Sequence, residues 1–93
     1  MVQVKVRFYA SLREDIGVGE VTVHLNDQSF NALKNSLKAV LGGKADRIFL
    51  EDGTLRRGLI VAINNTIIHQ SSIQELKLRE NDVVDFMPAP SGG

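Results

Sequence analysis

Residues 2–9 alternate strictly along the chain. The apolar side chains share one side of an extended backbone: Val2, Val4, Val6 and Phe8. Such alternation predicts a half-buried β-strand, and Tyr9 falls on its otherwise polar outward side. Residues 20–25 alternate in the same way and predict a partner strand. The polar segment 10–19, which contains two glycines, is expected to be the loop that joins these strands into a hairpin.

The next segment shows helical spacing. Its apolar residues recur every three or four positions: Phe30, Leu33, Leu37, Val40 and Leu41. Ser29 has the side chain expected of an N-cap just before this stripe, and Gly42-Gly43 is a typical C-terminal stop. The pattern predicts one amphipathic helix of about three turns, with its stripe in the core.

The second half of the chain predicts three further strands, over residues 59–63, 66–69 and 82–87. Asn64-Asn65 suits a tight turn, because asparagine tolerates positive φ. Residues 44–58 are expected to be irregular, and residues 71–81 to form a connection with a short helical turn. In the last strand Val84 and Phe86 are expected to face inward, with Asp85 and Met87 outward.

This order of elements predicts an α+β protein. One main helix would cover one face of a mixed sheet of four or five strands, as in the β-grasp, or ubiquitin-like, roll. We expect the β-grasp domain to occupy residues 1–87 and a flexible, extended Gly-Gly tail to occupy residues 88–93.

The tail carries the chemistry that the sequence suggests. Pro88 and Pro90 favour an extended, stiffened backbone, and Gly92-Gly93 has a cross-section small enough to thread a narrow slot. The C-terminal carboxylate is ionised at neutral pH and is a poor electrophile. It therefore needs activation, for example as an acyl adenylate, before a sulfur donor or a lysine amine can capture it.

Composition restricts the other function classes. The 93 residues are 43% hydrophobic and 24% charged, typical of a globular domain, and eleven basic residues balance eleven acidic ones. Zero net charge argues against partners such as nucleic acid or an anionic membrane surface. With no cysteine and two distant histidines, metal binding is not expected. The absence of an apolar N-terminal run favours a cytoplasmic protein.

Several stretches together carry a family resemblance: residues 6–14 (VRFYASLRE), 51–55 (EDGTL), 59–65 (LIVAINN), 82–88 (DVVDFMP) and 91–93 (SGG). In this order they resemble the small subunit of molybdopterin synthase and its relatives, which include the archaeal ubiquitin-like small modifier proteins. The tail departs from the familiar pattern, because Ala89 separates the two prolines and Met87 replaces an aromatic residue.

The resemblance implies a function. Family members carry sulfur as a C-terminal thiocarboxylate, so Gly93 would be the site of adenylation. Gly92, which has no side chain, would let the terminus enter a narrow active site. An E1-like enzyme would use ATP, while this chain would bind no cofactor. The loaded tail would enter the large subunit of molybdopterin synthase in a heterotetramer. There the chain would donate sulfur for molybdenum cofactor biosynthesis without itself supplying a catalytic acid or base.

The resemblance also implies a partner interface, which would include Tyr9, Arg13, Ile67, Phe86, Met87 and Pro88. Exposed aromatic and methionine side chains are suitable interface anchors. The alternative for each hydrophobic residue is a scattered surface position or a satellite of the core.

Two other functions stay open at this point. The chain could be a ubiquitin-like modifier that Gly93 joins to lysines of target proteins. It could also be a β-grasp binding module whose tail is never activated.

Overall fold

The computed structural model describes residues 2–90. Five strands form one sheet: β1 (Val2–Phe8), β2 (Glu20–Leu25), β3 (Leu59–Ile63), β4 (Thr66–Ile68) and β5 (Val83–Pro88). Two α-helices accompany them, α1 (Ala10–Ile16) and α2 (Phe30–Leu41), together with 3₁₀ helices at Gly42–Arg47 and Gln70–Glu75. The prediction of an α+β fold with one main helix on a mixed sheet is confirmed.

The strand order across the sheet is β2-β1-β5-β3-β4. The two alternating N-terminal strands pair antiparallel, as predicted, with Val4 opposite Val23. Strand β5 inserts beside β1 and runs parallel to it, with Phe8 level with Phe86. On its other side β5 pairs antiparallel with β3. The last strand of the chain therefore lies at the centre of the sheet, where both neighbours fix its register.

Helix α2 covers one face of this sheet. The Ser29 side chain accepts a hydrogen bond from the Ala32 N–H at 3.0 Å, and Gly42 ends the helix with a φ of 61°. Both predicted ends of the helix are confirmed, because the side chain satisfies a free N–H and glycine adopts positive φ without strain. The predicted stripe was too wide at one position, since Val40 lies 55% exposed.

Four phenylalanines lie at the centre of the core. Phe86 stacks on Phe8 and meets Phe49 edge-on, each at 6.3 Å between ring centroids. Phe30, at the start of α2, meets Phe49 edge-on at 6.1 Å. Such offset and edge contacts are the favoured geometries of aromatic pairs. They join the helix, the middle segment and the sheet into one core.

The prediction of a loop over residues 10–19 is wrong. Residues Ala10–Ile16 form α1, which buries Leu12 and Ile16 and ends at Gly17 with a φ of 93°. Ala10 turns the chain out of β1 with a φ of 54°. The two buried residues are four positions apart and share one helix face. Seven residues give too little repetition for that spacing to stand out from a polar loop.

The prediction of irregular structure over residues 44–58 is confirmed only after residue 47, because Gly42–Arg47 forms a 3₁₀ helix, and the segment is not peripheral. After the 3₁₀ helix Gly42–Arg47, both Ile48 and Phe49 are fully buried. Phe49 forms an isolated antiparallel bridge with Leu55. The predicted Asn64-Asn65 turn is also confirmed, because both residues take positive φ.

The last strand continues one residue beyond the predicted domain boundary. Pro88 lies in β5 opposite Leu59, and the Ala89 N–H donates to the Gly58 carbonyl at 2.6 Å. N–H groups of alternate residues point to the same side of a strand. Since Ala89 faces β3, the N–H that Pro88 lacks would face the side of β1, which has already ended. The proline therefore costs no bond in the ladder.

Candidate partner-docking face

The sheet face opposite α2 is called here the open face. One row of directly paired residues crosses it from β2 to β4: Glu20, Arg7, Asp85, Ala62 and Ile67. Neighbouring strands lie about 4.8 Å apart, so the row spans roughly 19 Å. It is charged at the β2 side and apolar at the β4 side.

An ion pair occupies the centre of this row. Arg7 Nε lies 2.6 Å from Asp85 Oδ1, and Arg7 Nη2 lies 2.9 Å from Oδ2. Asp85 is only 4% exposed, because the guanidinium covers it in this bidentate arrangement. The hydrogen bond to Asp85 raises the pKa of Arg7 above its ordinary value. The Arg7 Cζ also lies 5.7 Å from the centroid of the Tyr9 ring, within cation–π range.

The apolar half of the open face begins beside this ion pair. Ile67 is 65% exposed on the edge strand β4, and Ala62 beside it is buried. One row nearer the tail, Met87 pairs with Ile60, and both are half-buried. Met87, predicted to face outward, and Ile67, which the resemblance placed in the interface, are thus accessible apolar side chains on one surface.

Tyr9 completes this surface at the tail end. It follows Phe8, which is level with Phe86, and so lies level with Met87. The strand ends one residue earlier than predicted, and Tyr9 is the extended residue before α1, with its N–H donating to the Phe86 carbonyl at 3.2 Å. Its side chain is 39% exposed. The structure therefore brings Tyr9, Met87 and Ile67 onto one face.

Arg13 lies on α1 and not in the predicted loop. It lines a cleft with Arg7, Tyr9 and Gly19 at the edge of the open face. The helix is the reason that Arg13, four residues after Tyr9, returns to the same side of the molecule.

Phe86 is a correction to the predicted interface. Its side chain is fully buried and packs between Phe8 and Phe49 on the covered face. Alternation along β5 places it on the opposite side of the sheet from Asp85 and Met87. The packing of Phe86 in the core helps to hold β5, which carries Asp85 and Met87, in place. Its own side chain is not accessible to a partner.

The tail begins at the end of the central strand β5. Pro88 is half-buried at the end of β5, and Pro90 is exposed. Gly92 and Gly93, the predicted site of adenylation, lie outside the described residues, as does Ser91 of the predicted flexible tail.

Arg7 and Asp85 were missed as site residues by sequence reasoning. Each occupies an outward position on a predicted strand, which is the only signal that the sequence contains. Their contact depends on the parallel pairing of β1 with β5, seventy-eight positions apart in the chain.

Two further site types find no support within residues 2–90. No group of three or more His, Cys, Asp or Glu side chains in this range is placed to hold a metal ion. The helices in the same range are too short or too polar to cross a bilayer.

Solved structures share this architecture across whole chains. The small archaeal modifier protein 1 (SAMP1) from Methanosarcina acetivorans is 27% identical, with a TM-score of 0.76 over 100% of this chain and 98% of its own. SAMP1 from Haloferax volcanii is 22% identical, with a TM-score of 0.80 over 98% and 99%. A putative molybdopterin converting factor, subunit 1, from Pyrococcus furiosus is 23% identical, with a TM-score of 0.70 over 97% and 100%.

Family-level comparison gives a consistent result. No match was found among curated proteins. The model of the ThiS family, however, matches residues 6–93, which is nearly the whole chain. The resemblance that the motifs suggested is thereby confirmed at the level of the family. This chain belongs to the ThiS family of ubiquitin-like sulfur carriers and modifiers.

Proposed function

We propose that this protein is a sulfur carrier, the small subunit of a molybdopterin synthase. An E1-like enzyme uses ATP to adenylate Gly93, and the product becomes a thiocarboxylate that donates sulfur in molybdenum cofactor biosynthesis. The large synthase subunit is the second partner, in a heterotetramer. The proposal includes a cytoplasmic location, where ATP is available to the activating enzyme.

The arrangement of the open face carries this proposal. Tyr9, Met87 and Ile67 form an accessible apolar surface on the open face, whose central strand β5 leads directly to the tail, and Arg13 lies at its edge. A partner seated on this surface lies next to the point where Pro88 ends β5. Docking there would direct the last residues toward the partner's own active site, so one surface can serve any enzyme that handles the tail.

The chemistry requires the partner to supply all reactive groups. A Gly93 carboxylate oxygen attacks the α-phosphorus of ATP, and pyrophosphate leaves to give the acyl adenylate. A sulfur nucleophile from the activating system then displaces AMP at the carbonyl carbon. This chain contributes the carboxyl group and its presentation, which agrees with a family role as a carrier.

A second candidate is protein modification through Gly93. It is favoured by the similarity to the M. acetivorans protein, which is named a small archaeal modifier protein and is 27% identical. In this reaction a target lysine amine displaces AMP and forms an isopeptide bond. The two functions share adenylation and differ only in the nucleophile that follows.

Intact-mass measurement distinguishes these functions. The full chain is isolated from its own cells and, separately, incubated with its E1-like enzyme, ATP and a sulfur donor. A mass gain equal to the difference between sulfur and oxygen supports the carrier. Conjugates that leave a Gly-Gly remnant on lysine support the modifier. If neither product forms under either condition, both functions are wrong and the chain is a binding module.

Deletion of Gly93 provides a matched test of the tail. The deletion moves the carboxylate about 3.5 Å back along the chain, so we expect adenylation to be lost while the melting temperature stays unchanged. A Gly43→Ala variant is the control, because a Cβ at Gly43 meets no atom within 4 Å. Normal adenylation of the deletion variant would contradict the assignment of Gly93.

A further inference from the structure

The start of the tail is bound to the rest of the domain by a backbone hydrogen bond beyond the last strand. Strand β5 ends at Pro88, and the next residue, Ala89, donates its N–H to the Gly58 carbonyl at 2.6 Å. Pro88 and Pro90 have no N–H, so within residues 88–90 only Ala89 can make such a bond. Ala89 is half-buried and Pro90 is exposed. The chain therefore leaves the domain between these two residues.

The acceptor of this bond belongs to a turn that is itself held by the backbone. Residues 56–59 lead into β3, and the Leu59 N–H donates to the Arg56 carbonyl at 3.4 Å. Gly58 is the third residue of this turn and has a φ of 84°, close to the value of a type II turn at that position. The Arg56 N–H donates to the carbonyl of the fully buried Ile48 at 2.9 Å. The Gly58 carbonyl is thus connected to the core through backbone hydrogen bonds.

The backbone at Ala89 suits a continuation of the strand. A residue that precedes proline is restricted to extended conformations, and Ala89 precedes Pro90. Leu59 pairs with Pro88, so Gly58 and Ala89 are the next residues along the same two chains. Their hydrogen bond therefore extends the direction of β5 by one residue.

We propose that Ala89 is a positioning residue for adenylation, because its N–H, bound to the Gly58 carbonyl, fixes the point from which the tail enters the E1-like enzyme. The inference rests on the proposed function, since it concerns the delivery of Gly93 to ATP. Ordering a free residue costs conformational entropy, and a residue that is already held loses less of it on binding. With Ala89 held, residues 90–93 can span at most roughly 14 Å. The ATP of the partner should therefore lie within that distance of Ala89.

The first experiment tests the hydrogen bond in the full chain alone, without any enzyme. Hydrogen exchange followed by NMR should show the Ala89 amide exchanging about tenfold more slowly than in an unstructured peptide of the same sequence, as expected for one net hydrogen bond. Ala89→Ser and Pro90→Ala both keep an N–H at residue 89 and should keep this protection. An Ala89 amide that exchanges as fast as the peptide overturns the inference, because the bond is then absent in solution.

The second experiment measures kcat/KM for adenylation, as ATP–pyrophosphate exchange with the full chain and its E1-like enzyme. Ala89→Pro removes the N–H and should lower kcat/KM about threefold to tenfold, because the tail must then be oriented during binding. The double variant Ala89→Pro/Pro90→Ala should show the same loss, although it keeps the wild-type number of prolines. Ala89→Ser and Pro90→Ala, which keep the N–H, should stay close to the wild-type value. Assays well below the lowest melting temperature of the set ensure that unfolding does not contribute.

The outcomes that overturn the inference differ from failure of the proposed function. A wild-type kcat/KM for the double variant shows that the N–H of residue 89 does not position the tail. An Ala89→Ser variant as slow as Ala89→Pro assigns the effect to the side chain, and a Pro90→Ala variant as slow as the double variant assigns it to the proline at residue 90. If the wild-type chain is never adenylated although its Ala89 amide is protected, the proposed function fails, and the positioning role fails with it.

Discussion

The two faces of the sheet use adjacent residues for opposite purposes. On the covered face, Phe86 packs between the rings of Phe8 and Phe49, each 6.3 Å away between centroids. On the open face, the preceding residue Asp85 is buried only because the Arg7 side chain, itself 36% exposed, lies over it. One face excludes water with apolar packing, and the other covers a single charge with a second charge.

This difference indicates how stability and recognition are divided. Apolar burial is the main favourable term in folding, so the covered face should determine the free energy of unfolding. Accessible apolar groups such as Ile67 and Met87 gain little until a partner covers them. The Arg7–Asp85 pair contributes to both stability and recognition. It is part of the open face, and the Arg7 side chain shields the buried Asp85 carboxylate from water.

The largest effect is expected on the covered face. Phe86→Ala removes a ring from a fully buried position and should lower the free energy of unfolding by about 3–5 kcal/mol. Met87→Ala, the next residue on the open face, is the control and should cost less than about 1.5 kcal/mol. Chemical denaturation measures both. Equal losses of unfolding free energy in Phe86→Ala and Met87→Ala would contradict the conclusion that the covered face determines stability.

The ion pair should give the next largest effect. Arg7→Met removes both the partner and the cover of the Asp85 carboxylate and should lower the free energy of unfolding, but by less than Phe86→Ala does, because the carboxylate can then regain water. The double variant Arg7→Met/Asp85→Val removes both charges and should recover most of that loss. Denaturation of the two variants and of Asp85→Val alone completes the cycle. If the double variant does not recover the unfolding free energy lost in Arg7→Met, the pair stabilises the sheet by more than the compensation of one charge by the other.

A charge on the apolar half of the open face should affect binding more than folding. Ile67→Asp should weaken binding to the E1-like enzyme about tenfold, or about 1.4 kcal/mol. Unfolding should change by no more than about 0.5 kcal/mol, because Ile67 is exposed. Asn35→Asp, which adds the same charge to the exposed side of α2, should bind normally. Calorimetry with the full chain measures the affinities, and unchanged binding by Ile67→Asp would remove it from the interface.

The smallest effect is expected at Asp52, which lies outside both faces of the sheet, and it concerns the stability of the protein in acid. Hydrogen bonds from the Thr54 hydroxyl and N–H, at 2.6 and 2.9 Å, lower the pKa of Asp52 below its ordinary value of 3.8. The folded state therefore favours the ionised form, which stabilises the protein above pH 3.8 and progressively less as the pH falls through the lowered pKa.

The corresponding variant is Asp52→Asn. It should lower the melting temperature slightly at neutral pH and approach the wild-type value in acid, once Asp52 is protonated in both states. Glu51→Gln, the exposed neighbour, should show no such convergence. A constant difference between Asp52→Asn and the wild type at every pH would contradict the role of ionisation.

Sequence patterns predicted the parts of the fold that repeat often enough to be recognised. The alternation of β1, the capped stripe of α2 and the Asn64-Asn65 turn all appear where they were expected. Helix α1 was missed because a single pair of buried residues, Leu12 and Ile16, does not establish a period. Alternation correctly predicted that Phe86 faces inward. Because an inward side chain is buried on the covered face, the assignment of Phe86 to the interface was wrong.

The candidate site could be predicted only residue by residue. Tyr9 and Met87 were each expected on a surface, because local alternation specifies the side of a strand, whereas Ile67 was expected there only from the family resemblance. Their meeting on one face follows from the order of the strands. Arg7 and Asp85 were not recognised, since neither has a partner within the reach of local sequence.

The sequence by itself determined two things about this protein: it contains no cysteine, and its apolar periods are sufficient for one sheet and one helix. These properties are local, because they depend on residue type and on spacing of a few positions. Only the tertiary structure decided that β5 enters between β1 and β3. That insertion couples Arg7 to Asp85 and brings Tyr9 level with Met87, because contacts across strands depend on pairing between distant parts of the chain.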